Sequence, residues 1–222
     1  MAMFLPTVAG TGVNTDRAVL ATMIFAVLFG QVALYPGVPE LVAALGATTT
    51  LDAATWFLTA EYAGFVLFAG VWGALSDATG RRVPLIVAGT FGGVASYAAL
   101  IGLAEVAGIG FGAMLLVRFV EGSFTIAAFS LSITMLMDLR GGHGRNMGAA
   151  GTAIGLGAAL GSVAGGQLAT VDPLAPLYAG AALLASAALL AATVTDRARG
   201  GGLPIEALLE RIRDRPQLAM GF

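Results

Sequence analysis

The sequence predicts an all-α, polytopic membrane protein with six transmembrane helices. Of its 222 residues, 58% are hydrophobic and 11% are charged, whereas a soluble domain carries about 25% charged residues. Because so few charges do not cover a water-facing surface, we expect most of the surface to face lipid. Each of six apolar runs reaches the length of about 20 residues that a helix needs to cross a bilayer, and a helix satisfies its own backbone hydrogen bonds in lipid. The predicted spans are residues 17–38, 53–76, 83–104, 110–137, 146–169 and 175–195.

The distribution of arginines predicts that both termini are cytoplasmic. Every basic residue is an arginine, and all except Arg118 lie at the two ends of the chain or in the loops after the second and fourth spans. The loops on the opposite side contain acidic residues and no arginine. Because cytoplasmic loops are enriched in basic residues, we expect a cytoplasmic segment over residues 1–16, a transmembrane bundle over 17–195 and a cytoplasmic region over 196–222.

Composition argues against several other classes of protein. The chain has no cysteine, so it has no disulfide, catalytic thiolate or thiolate metal site. Its one histidine, His143, falls in a predicted loop, and we expect no metal site, no cofactor and no enzyme activity. An intramembrane serine protease needs a nucleophile beside a base, and the sequence has no Gly-x-Ser-Gly motif. A formal net charge of −2 gives no general attraction to nucleic acid.

The loop between spans two and three carries the most specific motif. Residues 73–82, which we call the signature loop, read Gly-Ala-Leu-Ser-Asp-Ala-Thr-Gly-Arg-Arg. This loop resembles the Gly-x-Leu-(Ser/Ala)-Asp-Arg-x-Gly-Arg-(Arg/Lys) motif of the major facilitator superfamily, although Ala78 replaces a residue that is usually basic. The matching residues are Gly73, Leu75, Ser76, Asp77, Gly80, Arg81 and Arg82. The resemblance implies the N-terminal six-helix half of a secondary transporter.

Polar residues in the first two spans are candidate site residues. Glu61 lies in the outer half of the second predicted span, where a carboxylate is costly unless it is protonated, paired or facing water. It is a candidate for proton coupling, or a glutamate that reaches the outer surface without a special role. Gln31, Tyr35 and Tyr62 are candidate cavity residues.

The fourth span contains an arginine at membrane depth. Arg118 and Glu121 are three residues apart, so they share one face of a helix. A pair that faces a cavity reduces the cost of the buried charge. Together with Gly122, the two residues resemble a second motif of the family, Arg-x-x-(Gln/Glu)-Gly, whose arginine is associated with proton transfer. Arg118, Glu121 and Glu61 are therefore candidate proton-coupling residues, and a purely structural ion pair is the alternative.

Acidic and basic residues at the cytoplasmic ends of the spans form a second candidate group. Asp138 ends the fourth span, in the same layer as the signature loop. The family resemblance implies a charge cluster of Asp77, Arg81 and Asp138 that clamps the inner end of the bundle. The full predicted latch comprises Gly73, Asp77, Gly80, Arg81, Arg82 and Asp138.

The fifth span is rich in glycine. Gly157, Gly161 and Gly165 recur every four residues and are followed by Gly166, which predicts a smooth stripe for close helix packing. Residues 157–166 also resemble the family's antiporter motif, Gly-x-x-x-Gly-Pro-x-x-Gly-Gly, with Ser162 in place of proline. The resemblance favours an exporter, and an ordinary packing stripe is the alternative.

Taken together, these motifs predict a transporter of the plasma membrane that works by alternating access. We expect proton-coupled export of a small, largely apolar compound. The alternatives are a proton-driven importer of a sugar or organic acid, and a half-size membrane partner that does not transport. The expected partners are the lipid bilayer, a small-molecule substrate, protons and a second six-helix half. That half is either a second copy or a C-terminal half whose seventh helix begins near residue 217.

Overall fold

The computed structural model describes residues 9–47, 51–105 and 110–196. Over these residues the chain is helical, with short turns between the helices and no strand. The helices are α1 (Ala9–Ala33), α2 (Val38–Ala44), α3 (Leu51–Thr79), α4 (Val83–Glu105), α5 (Phe111–Met137), α6 (His143–Val171) and α7 (Ala175–Ala191), and a 3-10 turn (Tyr35–Gly37) joins α1 to α2.

The predicted spans coincide with six of these helices. Five segments are long and apolar enough to cross a membrane, namely Gly12–Ala44, Asp52–Thr79, Val83–Ala104, Phe111–Met137 and His143–Val171. The sixth helix, α7, is apolar but has only 17 residues, which is at the lower limit for a span. The all-helical prediction is therefore confirmed, and the prediction of six spans is confirmed for five.

The first predicted span differs at its C-terminal end. We placed its end at residue 38, but α1 stops at Ala33 and gives way to the 3-10 turn and then to α2. Pro36 and Pro39 each occupy the start of one of these short elements, where the missing N–H of proline costs no helical hydrogen bond. The predicted start of a seventh helix and the rest of the region after Asp196 lie outside the described residues.

Four helices form the centre of the bundle. Helix α5 packs on α1 and α4, and α7 packs on the same two helices from the other side, so that α1, α5, α4 and α7 close a ring. Helix α3 packs against the outside of α5, and α6 packs against the outside of α1. The two flanking helices expose large apolar side chains, such as Val66 (78% exposed) on α3 and Val163 (61%) on α6. These faces suit lipid or another helix rather than water.

The α1–α6 contact is closed by the glycine stripe. A Cβ atom added to Gly157 would lie 2.8 Å from the carbonyl oxygen of Phe25, and one added to Gly161 would lie 2.7 Å from that of Phe29. A Cβ on Gly165 would overlap the backbone of Ala33, whereas Gly166 makes only ordinary contact with Pro36. Because backbone atoms have little freedom to give way, three of the four stripe positions have no room for a side chain.

Candidate functional site: an arginine between two glutamates

The centre of the bundle contains one arginine held by two carboxylates. Arg118 on α5 donates a hydrogen bond from Nη1 to Oε2 of Glu121, at 2.7 Å, and one from Nη2 to Oε2 of Glu61 on α3. All three side chains are at most 1% exposed. The structure therefore brings together the three residues that the sequence suggested for proton coupling.

Glycines let α3 and α5 approach closely at this site. A Cβ atom added to Gly122, one residue after Glu121, would overlap the carbonyl group of Glu61. One turn along α3, a Cβ on Gly64 would lie 2.7 Å from the backbone nitrogen of Ser123. This close approach of the two backbones lets the carboxylate of Glu61 accept a hydrogen bond from the guanidinium of Arg118.

The charges of this cluster do not balance. One guanidinium faces two carboxylates, so the group carries one excess negative charge when both glutamates are ionised. Two of its buried polar atoms, Oε1 of Glu61 and Nε of Arg118, have no hydrogen-bond partner among the described residues. The ring of Phe57 adds an electrostatic contact, with its centre 4.6 Å from the guanidinium carbon of Arg118. A low-dielectric interior makes an unbalanced charge expensive, so the site favours the uptake of a positive charge.

Residues from α1 and α4 complete the surroundings of the cluster. Gln31 on α1 interacts with the carboxylate of Glu61. Tyr97 on α4 is buried and lies within electrostatic range of Arg118 and both glutamates. Sequence analysis missed Tyr97, because a tyrosine in an apolar run gives no sign of what it faces across the bundle.

The predicted cavity residues Tyr35 and Tyr62 form a pair of their own. Their hydroxyl oxygens are 2.6 Å apart, which is a hydrogen bond in which either oxygen is able to donate. Tyr62 is 46% exposed on the surface of the bundle, and Tyr35 lies within electrostatic range of Glu61 and Arg118. The pair therefore stands between the buried cluster and the surface of the six-helix bundle.

At the cytoplasmic ends predicted for the helices, Asp138 has a different partner from the one expected. It forms an ion pair with Arg82, whereas Asp77 and Arg81 are exposed and form no ion pair with other described residues. Gly80 has a φ of +63°, a left-handed conformation that favours glycine and reverses the chain after Thr79. Gly73 lies on α3 with open space beside it. The structure thus joins only Arg82 and Asp138 among the predicted latch residues by an ion pair.

Asp196, which sequence analysis did not single out, also binds the signature loop. Its Oδ2 accepts hydrogen bonds from the backbone N–H groups of Arg82 (2.9 Å) and Val83 (3.1 Å). These N–H groups stand at the start of α4 and have no partner within the helix, so the carboxylate acts as a cap supplied from the segment that follows α7. A pocket of about 310 Å³ beside this contact is lined by Gly80, Arg81, Val83, Pro84, Val194 and Asp196.

A second buried arginine, Arg17, lies at the start of the bundle. Its Nε donates to Oδ1 of Asn146 on α6 (2.9 Å), its Nη1 to Oδ1 of Asn14 (2.8 Å) and its Nη2 to the carbonyl oxygen of Arg140 (2.7 Å). Asn146 in turn donates to the carbonyl oxygen of Leu139 at 2.7 Å. Sequence analysis used Arg17 only to assign orientation, because nothing in the sequence pairs it with Asn146, 129 positions away.

Comparison with known proteins agrees with the motifs. The family model described as Major Facilitator Superfamily matches residues 20–221. The match covers the buried cluster, the signature loop and the glycine stripe. No curated protein matches the chain.

Proposed function

We propose that this chain, which belongs to the major facilitator superfamily and is therefore a membrane transporter, couples the movement of protons to the export of a small, largely apolar compound. The coupling group in this proposal is the cluster of Arg118, Glu61 and Glu121. One observation carries the proposal, namely that two buried carboxylates share a single buried guanidinium. Direction, coupling ion and substrate class are all parts of this proposal.

The cluster has an excess of negative charge when both glutamates are ionised. With both carboxylates ionised the cluster carries one negative charge inside the bundle, and binding one proton makes it neutral. The cluster joins α3 to α5, and Gln31 extends it to α1. A change of one charge therefore alters the forces between three helices, which is what a coupled transporter requires of a proton site.

The surfaces that this half would offer to a substrate are mainly apolar. Members of this superfamily have two six-helix halves, with substrate between them near the middle of the membrane. The exposed tyrosine of the Tyr35–Tyr62 pair and the apolar faces of α3 and α6 supply surfaces of mainly apolar character. Such surfaces favour a compound with few polar groups over a sugar. A second six-helix half, either a second copy or further chain, is part of the proposal.

The glycine stripe supports export more weakly. Gly157, Gly161 and Gly165 lie against the backbone of α1. The same contact is expected of the glycine stripe of an antiporter and of an ordinary packed helix, so the resemblance to the antiporter motif is the only part that favours export. Export from the cytoplasm also assumes that the protein lies in the plasma membrane with both termini in the cytoplasm, as the arginine distribution predicts.

Flux in vesicles tests the proposal. We expect a proton gradient imposed on vesicles that contain the full chain to drive a lipophilic dye such as Nile red against the direction of proton flow. Glu61→Gln should abolish this response, while Tyr178→Phe, a change on the exposed face of α7, should preserve it. Dye movement in the same direction as protons would indicate an importer, and no movement would favour a membrane partner that does not transport.

The proposed cytoplasmic latch has its own test. Asp77→Asn should reduce transport without removing the protein from the membrane, because the latch holds one conformer of the transporter. Asp138→Asn should have the same effect, since it removes the ion pair with Arg82. Undiminished transport in both variants would exclude the latch and leave the buried cluster unaffected.

A further inference from the structure

We propose that the hydroxyl groups of Tyr62 and Tyr35 form the path by which a proton reaches Glu61 from the surface of the six-helix bundle. This inference rests on the proposed coupling role of the buried cluster and adds to it an entry route. It assigns two positioning residues whose hydroxyl groups are needed for the rate of protonation and not for its extent.

The buried position of the cluster creates the need for a route. Glu61 and Arg118 are 0% exposed, and Glu121 is 1% exposed. These side chains do not touch the surface of the bundle. A hydroxyl both donates and accepts hydrogen bonds, so hydroxyl groups are able to pass a proton from the surface to them.

The two tyrosines connect the surface with the neighbourhood of Glu61. Tyr62 directly follows Glu61 in α3 and is 46% exposed, and its hydroxyl is hydrogen-bonded to that of Tyr35 at 2.6 Å. Gln31, which interacts with Glu61, lies near the end of α1, four residues before Tyr35. Tyr35 itself lies in the 3-10 turn that follows α1, within electrostatic range of the Glu61 carboxylate.

One atom of Glu61 is available to receive the proton. Its Oε2 accepts from Arg118, whereas its Oε1 is buried and has no hydrogen-bond partner among the described residues. A buried acceptor without a donor is costly, and a proton on this oxygen would relieve that cost. The other charged or titratable groups around Glu61 are Arg118 and Glu121 on α5 and Tyr97 on α4.

The transfer moves one proton and leaves both tyrosines unchanged. A proton from water binds the hydroxyl oxygen of Tyr62, which passes its own proton to the hydroxyl oxygen of Tyr35. The hydroxyl of Tyr35 is not hydrogen-bonded to Glu61 in the structure, so Tyr35 releases its own proton to that carboxylate when the two side chains move within hydrogen-bond distance. Each hydroxyl gains one proton and loses one, and the net result is a neutral carboxyl group at Glu61.

Infrared difference spectroscopy after a step in pH measures this transfer without a substrate. The full chain is placed in lipid vesicles, and the rise of the protonated-carboxyl band is followed in time. The part of the band that disappears in Glu61→Gln is assigned to Glu61. We expect Tyr35→Phe and Tyr62→Phe to slow the rise of this part by about a hundredfold and to leave its final height unchanged.

Two controls separate this role from a structural one. Phenylalanine keeps the ring and removes only the hydroxyl, and Tyr178→Phe changes a tyrosine that is 50% exposed on α7 and should leave the rate unchanged. Equal rates in the wild type, Tyr35→Phe and Tyr62→Phe would overturn the path while leaving the proposed function in place. A reduced final height with an unchanged rate would also overturn it. A wild type without any carboxyl band would overturn both the path and proton coupling by the cluster.

Discussion

Two helix pairs, α3–α5 and α1–α6, are built from the same parts and differ in one respect. In each pair glycines bring the backbones close together, at Gly64 and Gly122 in the first and at the stripe of α6 in the second. A buried arginine also joins each pair. Arg118 in α3–α5 binds two carboxylates, whereas Arg17 in α1–α6 gives its three hydrogen bonds to the neutral oxygens of two side-chain amides and one backbone carbonyl.

This difference separates a chemical site from a structural one. Amide and carbonyl oxygens do not gain or lose protons in the physiological range, so the partners of Arg17 keep the same charge at every working pH. The carboxylates around Arg118 are able to change charge. We therefore interpret α1–α6 as a fixed pair and α3–α5 as the pair on which protonation acts.

Removal of Arg118 should have the largest effect. Arg118→Leu leaves Glu61 and Glu121 buried without their counter-charge, which costs about 3–5 kcal/mol of stability. We expect a matching fall in the free energy of unfolding in detergent at neutral pH. Lower pH should restore part of the loss, because protonated carboxyl groups carry no charge. A loss that stayed constant with pH would contradict the interpretation of α3–α5 as the titrating pair.

A methyl group in the glycine stripe should have the next largest effect. Gly161→Ala places a Cβ atom about 2.7 Å from the carbonyl oxygen of Phe29, and forcing the helices apart costs about 1–3 kcal/mol. Gly155→Ala on the same helix is the matched control, since a Cβ there meets nothing within 4 Å. Gly161→Ala should therefore unfold at a lower temperature than Gly155→Ala. Similar melting temperatures would show that α1 and α6 are not closely packed at Gly161.

One substitution should give Arg17 a partner that gains and loses protons, as Arg118 has. Asn146→Asp replaces a neutral acceptor by a carboxylate and removes the hydrogen bond to the carbonyl of Leu139, at a cost of about 1 kcal/mol. The new ion pair with Arg17 exists only while the aspartate is ionised, so stability should fall as the pH is lowered through the range in which this carboxylate binds a proton. The wild type supplies the control in unfolding measured across pH. A pH profile identical to that of the wild type would refute the interpretation that the chemistry of the partners, carboxylate or amide, distinguishes Arg118 from Arg17.

The smallest effect is expected outside both pairs. Asp196→Ala removes the acceptor for the N–H groups of Arg82 and Val83, and the loss of an exposed helix cap costs about 0.5 kcal/mol. Asp196→Asn keeps a side-chain oxygen and should retain most of that stability. A loss as large as that of Gly161→Ala would mean that the contact of Asp196 with the start of α4 matters as much to stability as the glycine stripe.

The sequence predicted the helices better than the contacts between them. Long apolar runs determine where helices form in lipid, and the spacing of Arg118 and Glu121 along one helix is enough to pair them. The approach of Glu61 depends on the packing of α3 on α5. Sequence analysis therefore predicted an ion pair of Arg118 with Glu121 alone, whereas in the structure Arg118 binds both glutamates.

Partners that come from distant segments were beyond sequence reasoning. Arg81 and Arg82 are neighbours in the same loop, and only the chain reversal at Gly80 and the start of α4 decide which one reaches Asp138. The same holds for Arg17 with Asn146, since an amide has no charge to suggest its partner. Neutral and long-range contacts leave no periodic pattern in a sequence.

The contact of Asp196 with α4 has a mechanical consequence. Asp196 follows α7, and its carboxylate binds the backbone N–H groups of Arg82 and Val83 at the start of α4. Arg82, one of those residues, is tied through its side chain to Asp138 at the end of α5, the helix that carries Arg118. We therefore expect a force applied to the chain at Asp196 to act on α5, the helix that carries Arg118, through the contact of Asp196 with the start of α4 and the ion pair of Arg82 with Asp138.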